Sequence, residues 1–355
     1  MKDLKKWLTY GLLLQIVLVW LSSYFPKWIE KYYSQGIYIG LSKVFRFTYG
    51  WIPFSVGDVL YGVSILLIFR YIYLFISNKD FRKKSNLYSV GATLSIAYFL
   101  FYFLWGLNYS RENAYAKMGL KEEELTESQL EDFSKFILDE TTKTLNQIVV
   151  NDTLPVVLPY TKNEIFKIVP EGYKNLQSIF PQYDYKPMSL KKSLISLPLT
   201  YMGFSGYLNP FTGEAQVDHL VPKVSLPMIC LHEMAHQMGI GFESEANFIG
   251  FLAAYFHDDP YVKYSGLLMA YRYALYDLSK TNSDKARELF IKTPKGIIKN
   301  IEEQELFWSK YKNPSEAYFK AFYDGYLKIN NQKDGMKSYS NMTKLLIAYK
   351  DSYGL

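Results

Sequence analysis

Three long stretches in the first third of the chain are almost free of charged residues. Residues 7–25 and 87–107 carry no charge at all. Residues 56–76 are apolar apart from Asp58 near one end and Arg70 near the other. A helix of about 20 apolar residues is long enough to cross the hydrocarbon core of a bilayer, and charged groups near its ends can reach the headgroups. The pattern therefore predicts three membrane spans, at 7–25, 56–76 and 87–107.

The rest of the chain has the mixed pattern of a water-facing protein. No A-x-A-like cleavage site follows residues 7–25, which favours an anchor over a cleaved signal peptide. Residues 26–54 are rich in aromatic residues and are predicted to form a helix lying at the outer membrane interface, and the polar segment 108–125 to form a linker leaving the membrane. Beyond it, the spacing of apolar residues predicts helices at 126–149, at 163–180 and from Ser225 onwards, and two or three short strands within 186–221 with turns at Gly206 and at 209–213.

The net charge indicates a partner only when it is counted separately for the first third of the chain and for the rest. The 355 residues carry a net charge of +6 and a pI near 8.9, which would by itself suggest nucleic acid or an anionic membrane as a partner. Residues 1–107, however, hold 12 Lys and Arg against four Asp and Glu, a net charge of +8, so the remainder is at −2. The basic excess therefore belongs to the membrane region, with the lipid bilayer as its partner, and we expect no nucleic-acid partner. A single Cys excludes a disulfide framework.

The positions of the basic residues also predict an orientation. Lys2, Lys5 and Lys6 precede the first span, and the short loop 79–84 carries Lys79, Arg82, Lys83 and Lys84. Three spans put both stretches on one side, and an excess of Lys and Arg marks the cytoplasmic side. The loop 26–54 carries four basic residues, which weakens the contrast. We predict a multi-pass protein of the cell membrane, with residues 1–107 as its transmembrane region and 108–355 as an extracytoplasmic domain.

The candidate chemistry lies in the sequence HEMAH at 232–236, which holds two of the four His in the chain. Residues i and i+4 of a helix share one face, so His232 and His236 can bind one Zn²⁺. Glu233 is then placed to act as general base on a metal-activated water. The alternative is a pair of hydrogen-bonded histidines in a core helix.

A catalytic zinc site needs a third protein ligand. Gly239 and Gly241 allow the chain to reverse after HEMAH, so that a second helix begins near Glu243. Glu243 and Glu245 project about 200° apart on that helix, and only one of them can face the metal. Glu243 is preferred, because Asn247 lies one turn further along its face, where the amide could accept the free N–H of a ligand histidine. Glu245 remains the alternative metal ligand.

Roles are also predicted for polar residues outside these two motifs. Cys230 is expected to fill the core, and His257, beside two Asp, to be a solvated turn residue. An oxyanion donor could come from Tyr271, Arg272, Tyr273, Tyr326 or His219. One of the strands within 199–218 is expected either to line the cleft, pairing with an extended peptide, or to serve as scaffold only.

The HExxH motif followed by ESEAN resembles the gluzincin metallopeptidases, whose third ligand is a Glu on a following helix. It is similar to the membrane-associated CAAX-type and heat-shock-type zinc endopeptidases. The six residues between His236 and Glu243 are fewer than those families usually have, and Phe242 stands where the metzincin pattern would have its third His. This resemblance implies a zinc metalloendopeptidase with a zincin-like α+β domain.

Over nearly its whole length the chain resembles a bacterial family called domain of unknown function 3810. The stretches that carry this resemblance are WGLNY at 105–109, PFTGEA at 210–215, HEMAHQMG with ESEAN, and YDGYLK at 323–328. The prediction is a mainly α, membrane-anchored protein with three N-terminal spans and a zincin-like domain with a small sheet, acting on a protein or peptide substrate. Two alternatives stay open: a non-enzymatic envelope or binding protein with a structural or vestigial zinc site, and hydrolysis of a non-peptide amide such as a cell-wall crosslink.

Overall fold

The computed structural model describes residues 2–77, 84–332, 335 and 341–355, and within this part the protein is mainly helical with one small mixed sheet. The helices of the N-terminal region are α1 (Lys2–Ser22), α2 (Pro26–Trp28), a π-helical segment (Ile29–Ile37), α3 (Tyr38–Gly50), α4 (Val56–Ser77) and α5 (Lys84–Leu104), followed by a 3₁₀ turn (Gly106–Ser110). The others are α6 (Ala114–Met118), α7 (Glu127–Ile148), α8 (Lys162–Ile168), α9 (Pro170–Ile179), a 3₁₀ turn (Pro181–Tyr183), α10 (Ser196–Met202), α11 (Leu226–Gln237), α12 (Glu243–Tyr255), α13 (Pro260–Thr281), α14 (Ser283–Ile291), α15 (Lys295–Tyr311), α16 (Ser315–Ile329) and α17 (Asn341–Tyr353).

Three of these helices are long and apolar enough to cross a membrane. They cover Asp3–Ser22, Val56–Ser77 and Asn86–Leu104, with mean hydropathies of 1.3, 2.1 and 1.6. Two predicted boundaries were wrong by three residues. The first helix ends at Ser22 rather than at 25, because Pro26 starts a new helix. The third ends at Leu104 rather than at 107, because the chain tightens into the 3₁₀ turn from Gly106.

Helices α1 and α5 run side by side in the same direction. Lys5 Nζ donates to Ser89 Oγ at 2.9 Å near their starts, and Gln15 Nε2 donates to Ser95 Oγ at 3.1 Å further along. The N-terminus and the start of α5 therefore lie at one end of the pair, as a three-span arrangement requires. The basic residues Lys79, Arg82 and Lys83, on which the predicted orientation depends, lie outside the described residues, and the side of the membrane stays a prediction.

The sheet has three short strands, β1 (Leu190–Lys192), β2 (Gly206–Leu208) and β3 (Ala215–Val217), in the order β1-β3-β2. β1 is parallel to β3, and β2 is antiparallel to it. The predicted strands and the turn at 209–213 are confirmed. The predicted turn at Gly206 was wrong, because Gly206 opens β2, and the preceding apolar run forms helix α10.

The core of the protein is formed by α11, α12 and α13, with α7, α9 and α17 packed around them. α11 and α12 are buried on nearly every side, as expected of helices without a polar face. The predicted helix at 126–149 is confirmed as α7, and it begins with a capping box between Thr126 and Gln129.

The N-terminal region is not joined to this core through a free linker. Ile29, Tyr33, Tyr38, Trp105 and Tyr109 form a small apolar cluster of their own. The helix predicted within 26–54 is confirmed, although it is broken into segments, and one side of it is buried against the rest of the protein.

The prediction of a polar linker at 108–125 was wrong at its start. Asn108 to Arg111 are buried, because Arg111 bonds to both carboxylate oxygens of Glu30 at 2.7 Å and its Nη1 donates to Gly239 O, also at 2.7 Å. Contacts therefore cross the boundary predicted between residues 107 and 108.

Candidate metal centre

Two helices bring the three predicted ligand atoms together. His232 and His236 lie one turn apart on α11, and Glu243 opens α12. Between them Gly239 has φ +82°, a conformation that favours glycine and that ends α11 sharply. His232 Nε2 lies 3.1 Å from His236 Nε2, and Glu243 Oε2 lies 3.2 Å from His232 Nε2 and 3.6 Å from His236 Nε2.

This cluster fits the ligand spacing of a small tetrahedral metal ion. Bonds of about 2.0–2.2 Å at tetrahedral angles separate neighbouring ligand atoms by about 3.4 Å, which matches the three observed distances. His236 Nδ1 lies 2.7 Å from Ile240 O, an arrangement that leaves Nε2 free to bind a metal. His232, His236 and Glu243 could therefore hold a metal ion.

Glu233 lies beside the cluster and is only 3 % exposed. Its Oε2 has no hydrogen-bond partner within the described residues. Burial raises the pKa of Glu233 to about 7, although the two neighbouring histidines oppose the shift. A buried carboxylate that titrates near neutrality has the property that a general base needs.

When no cation is bound, the charges of the candidate ligand side chains shift one another's pKa values. Burial alone would lower the pKa of His236, but the Glu243 carboxylate outweighs it and raises that pKa to about 9. In the opposite sense, burial disfavours the charged form of Glu243, and the two histidines hold its pKa well below the usual range. Without a metal, a protonated His236 thus pairs with the Glu243 carboxylate, and a bound cation would displace that proton.

The structure separates the two candidate third ligands. Glu245 points away from the histidines, and its Oε1 accepts a hydrogen bond from Ala114 N at 2.8 Å, near Arg111 and Lys117. Asn247 is buried in the wall of the cavity at the cluster. Within the described residues His232 Nδ1 has no hydrogen-bond partner, and His236 Nδ1 bonds to Ile240 O, so the predicted bond from a ligand histidine to the Asn247 amide is not formed. The backbone oxygen of Ile240 takes that role for His236.

Two residues from the C-terminal part of the chain support Glu243 and were not among the predicted site residues. The Tyr323 hydroxyl donates to Glu243 Oε1 at 2.7 Å, and Gln332 Oε1 accepts from Glu243 N at 3.2 Å. Tyr323 lies in the stretch YDGYLK noted in the sequence, which was the available signal for it. No motif or residue spacing near Gln332 indicated that it would contact the site.

The end of α11 is held by side chains from the N-terminal region. The last carbonyl groups of a helix have no partner within it. Here Trp105 Nε1 donates to His236 O at 3.0 Å, and Tyr38 Oη and Ser42 Oγ donate to Gln237 O at 3.0 and 2.7 Å. The Arg111 guanidinium covers Gly239 O in the same way. The helix that carries the two histidines is therefore fixed in place by the first third of the chain.

The cluster opens onto a large cavity of about 1310 Å³. His232, Glu233, His236, Glu243 and Asn247 line it, and the rest of its wall includes residues of β2, α10, α13, α15, α16 and the candidate span helices α4 and α5. The walls are mostly aromatic and aliphatic. This volume exceeds the range of about 300–1,000 Å³ that is usual for small-molecule sites.

The structure also sorts the candidate oxyanion donors. Arg272, Tyr273 and Tyr326 line the cavity. Tyr271 is buried elsewhere, with its hydroxyl on Thr293, and His219 does not line the cavity but bonds through Nδ1 to Ser196 Oγ at 2.8 Å.

Two further predictions from the sequence can be compared directly. Cys230 is fully buried in the core, as expected. His257 is not a solvated turn residue: it is buried, with Nε2 3.0 Å from Ile168 O and Nδ1 accepting from Asp259 N at 2.9 Å. Nε2 thus links the end of α8 to the turn before α13, and Nδ1 supports the turn itself.

Comparison with known proteins identifies the family but no activity. A search of curated proteins and a search of solved structures each give no match. A family model described as "Protein of unknown function (DUF3810)" matches residues 33–347, which is most of the chain. The protein therefore belongs to the DUF3810 family.

Proposed function

We propose that the protein is a membrane-anchored zinc metalloendopeptidase whose zincin-like site acts on protein or peptide at the extracytoplasmic surface of the cell membrane. The observation that carries the proposal is the opening of three ligand atoms and one unpaired carboxylate, Glu233, onto the same large cavity. The orientation is supported by the basic residues before α1 and between α4 and α5.

His232, His236 and Glu243 would hold the metal, and Tyr323 would hold Glu243. When bound, Zn²⁺ supplies a Lewis acid that activates a water and polarises a carbonyl group. Glu233 would take a proton from the attacking water and deliver it to the leaving amine, because this residue lines the cavity and its Oε2 has no other partner within the described residues. Arg272, Tyr273 and Tyr326 are the described side chains of the wall that could donate to the developing oxyanion.

The edge strand β2 would align the substrate. Asp218 N donates to Ser205 O and Asn209 N donates to Glu214 O, so the hydrogen-bonded pairs alternate along β2 and β3. By this alternation the backbone groups of Gly206 and Leu208 face away from β3, toward the free edge. All three residues of β2 line the cavity, and an extended peptide could pair with them as an added strand.

A structural zinc site is the competing interpretation. Structural sites are usually closed by four protein ligands, whereas catalytic sites have three and leave one position open. Here three ligands face a cavity, and a potential base lies next to them. This arrangement favours the catalytic interpretation over a vestigial or structural site.

The test is zinc content and cleavage of an unfolded protein by the full chain in detergent. We expect the wild type to hold one zinc per chain and to cleave. Glu233→Gln should keep the zinc and lose activity by about 10²–10⁴-fold, the usual contribution of a general base. His232→Ala should lose both, and Glu302→Gln, at an exposed position on α15, should change neither.

Two results would refute the proposal: a wild-type protein without zinc, or a Glu233→Gln variant that cleaves as fast as the wild type. Retained zinc with no hydrolysis of proteins or of cell-wall peptides would favour the structural alternative.

A further inference from the structure

We infer that the cavity takes its substrate from within the bilayer, and that its occupant is the end of a membrane-spanning polypeptide. The inference rests on the proposed function for the reaction, but the binding step can be tested without it. Four features of the described residues lead to it: the span helices in the cavity wall, the depth at which they are held, an apolar rim and a free strand edge.

The ends of two predicted spans form part of the cavity wall. Tyr61 of α4 stacks on Tyr207 of β2, with ring centroids 6.0 Å apart and planes at 16°. Phe101 of α5 contacts Tyr326 of α16 edge to face at 6.2 Å. Tyr61 lies five residues inside α4 and Phe101 three residues before the end of α5, which correspond to about 7.5 and 4.5 Å along the helix axes. The cavity therefore reaches the level of the membrane boundary.

The depth of α4 is fixed by the sheet. The Glu214 carboxylate accepts hydrogen bonds from Val56 N at 3.2 Å and from Gly57 N at 2.6 Å, which satisfies the start of the helix. Asp58 accepts from Leu194 N at 2.7 Å and from the Tyr207 hydroxyl. Because α4 begins against the sheet whose edge strand β2 lines the cavity, its apolar part lies next to the cavity.

The rim of the cavity carries apolar side chains that have no protein cover in the described structure. Among the residues that line the cavity, Phe322 on α16 is 77 % exposed and Phe319 38 %, and Ile195, just before α10, is 36 % exposed. The two helices are joined where Asn313 Nδ2 donates to Tyr201 O at 2.7 Å. Contiguous exposed apolar groups mark an interaction surface, and large aromatic residues beside span ends are typical of a membrane interface.

A polypeptide suits this cavity better than a lipid chain alone. The outward-facing backbone groups of Gly206 and Leu208 can pair with another backbone, and an acyl chain has no group to offer them. The polar metal end suits a peptide bond, whereas the aromatic wall suits the apolar residues that follow it inside a membrane. A segment that leaves the bilayer as an extended chain meets both requirements.

The test is photocrosslinking of the full chain in lipid vesicles, in a Glu233→Gln background so that the probe is not consumed. A photoreactive phenylalanine analogue replaces Tyr61 or Phe322, and Val157, which is exposed and does not line the cavity, serves as the matched control. The probe is a synthetic peptide with one span of about 20 Leu and Ala residues and a ten-residue polar extension. A second probe is the extension alone.

We expect the spanning peptide to crosslink at positions 61 and 322 at least fivefold more than at 157, and at least fivefold more than the extension alone. Equal labelling by the soluble extension would overturn entry from the bilayer. Labelling of phospholipid with no peptide adduct would overturn the polypeptide occupant. Because no hydrolysis is measured, failure of the proposed peptidase activity leaves this result readable.

Discussion

Gly206 is the residue at which the edge strand comes closest to the candidate base. A Cβ placed on Gly206 would lie 2.6 Å from Glu233 Oε1 and 2.8 Å from Gln216 O, both shorter than real contacts allow. The backbone oxygen of Gln216 cannot easily move, so the added methyl group would displace the Glu233 carboxylate. The glycine is thus required for close approach and not for an unusual backbone angle.

We predict that Gly206→Ala lowers peptidase activity at least tenfold while zinc content stays unchanged, because the ligands His232, His236 and Glu243 are not touched. Cleavage rate and zinc content of the purified full chain are the measurements. Gly325→Ala on α16 is the matched control, since its Cβ would meet nothing within 4 Å. An unaltered rate in Gly206→Ala would show that Glu233 need not keep this position.

At this scale the sequence predicted which side chains come together where chemistry and local spacing coincide. His232, Glu233 and His236 follow from one helical turn, and the roughly 200° between Glu243 and Glu245 meant that only one of the two could face the histidines. Glu243 was preferred because of a bond between Asn247 and a ligand histidine, which is not formed, although Glu243 does lie at the histidines. Tyr323 could not be assigned a role, because 33 Tyr in the chain look alike and its contact with Glu243 spans 80 positions. Distance along the chain also explains the wrong prediction for His257, whose partner Ile168 lies 89 positions earlier, at the end of α8.

Helix α11 shows how an element depends on distant parts of the chain. Its carbonyl group at Gln237 is buried and accepts from both Tyr38 and Ser42. Leaving a buried backbone acceptor without a partner costs about 1–3 kcal/mol. The helix end would then loosen next to His236, which is the last ligand that α11 contributes.

We predict that the double variant Tyr38→Phe, Ser42→Ala lowers the thermal unfolding midpoint by several degrees, since about 1 kcal/mol corresponds to about 2–4 °C in a chain of a few hundred residues. It should also weaken zinc binding. Thermal unfolding in detergent and zinc competition are the measurements. Lys43→Ala serves as control, because its ion pair with Asp184 is exposed and such pairs contribute little. A midpoint equal to that of the wild type would refute a stabilising role for this cap.

The sequence predicts where most helices and strands begin and end, but it does not predict the distant side chains that hold them in place. Proline, glycine and capping residues lie next to the helix ends that they determine, as Thr126 does for α7. The partners of Gln237 O lie 195 and 199 positions earlier, and no local pattern reveals them. The same reason accounts for the wrong linker prediction. The polar residues at 108–111 were predicted to be in contact with water, because their distant partners, among them Glu30 and Gly239, cannot be recognised in the sequence.

At the scale of the whole molecule, one buried ion pair joins the N-terminal region to the turn after α11. Arg111 contacts Glu30 and Gly239 O together, and Lys117 Nζ lies 3.6 Å from Glu30 Oε1. Burial favours the neutral form of Glu30, but the hydrogen bonds and charge of Arg111 outweigh it and lower the pKa below the usual 4.5. The folded state therefore binds fewer protons than the unfolded state as the pH falls below that value.

It follows that the stabilisation from Glu30 is complete above about pH 4.5 and is lost as the pH falls through the lowered pKa of the folded state. We predict that Glu30→Gln destabilises the protein by about 2–3 kcal/mol near neutral pH, and that the difference from wild type shrinks below pH 4.5. Unfolding curves of both proteins between pH 3.5 and 7 are the measurement. A difference that is constant over this range would contradict the assignment.

The stretches that carried the family resemblance meet around one site. Trp105 of WGLNY donates to His236 O, Glu214 of PFTGEA holds the start of α4, and Tyr323 of YDGYLK holds Glu243. Their meeting could not be predicted, because sequence similarity identifies segments without their contacts. The division of the chain at residue 107 stays a prediction, and the contacts across it make the two parts interdependent.

The side chains of the N-terminal region that bond to the end of α11 are synthesised before α11 itself. Each donor to the end of α11 precedes its acceptor by 128 to 199 residues, so the ribosome completes the donors long before it makes HEMAH. A chain whose first third has not been inserted would present these groups in the wrong place. We therefore expect hydrolytic capacity to arise only after delivery to the membrane, which would protect the cytoplasm from a premature peptidase.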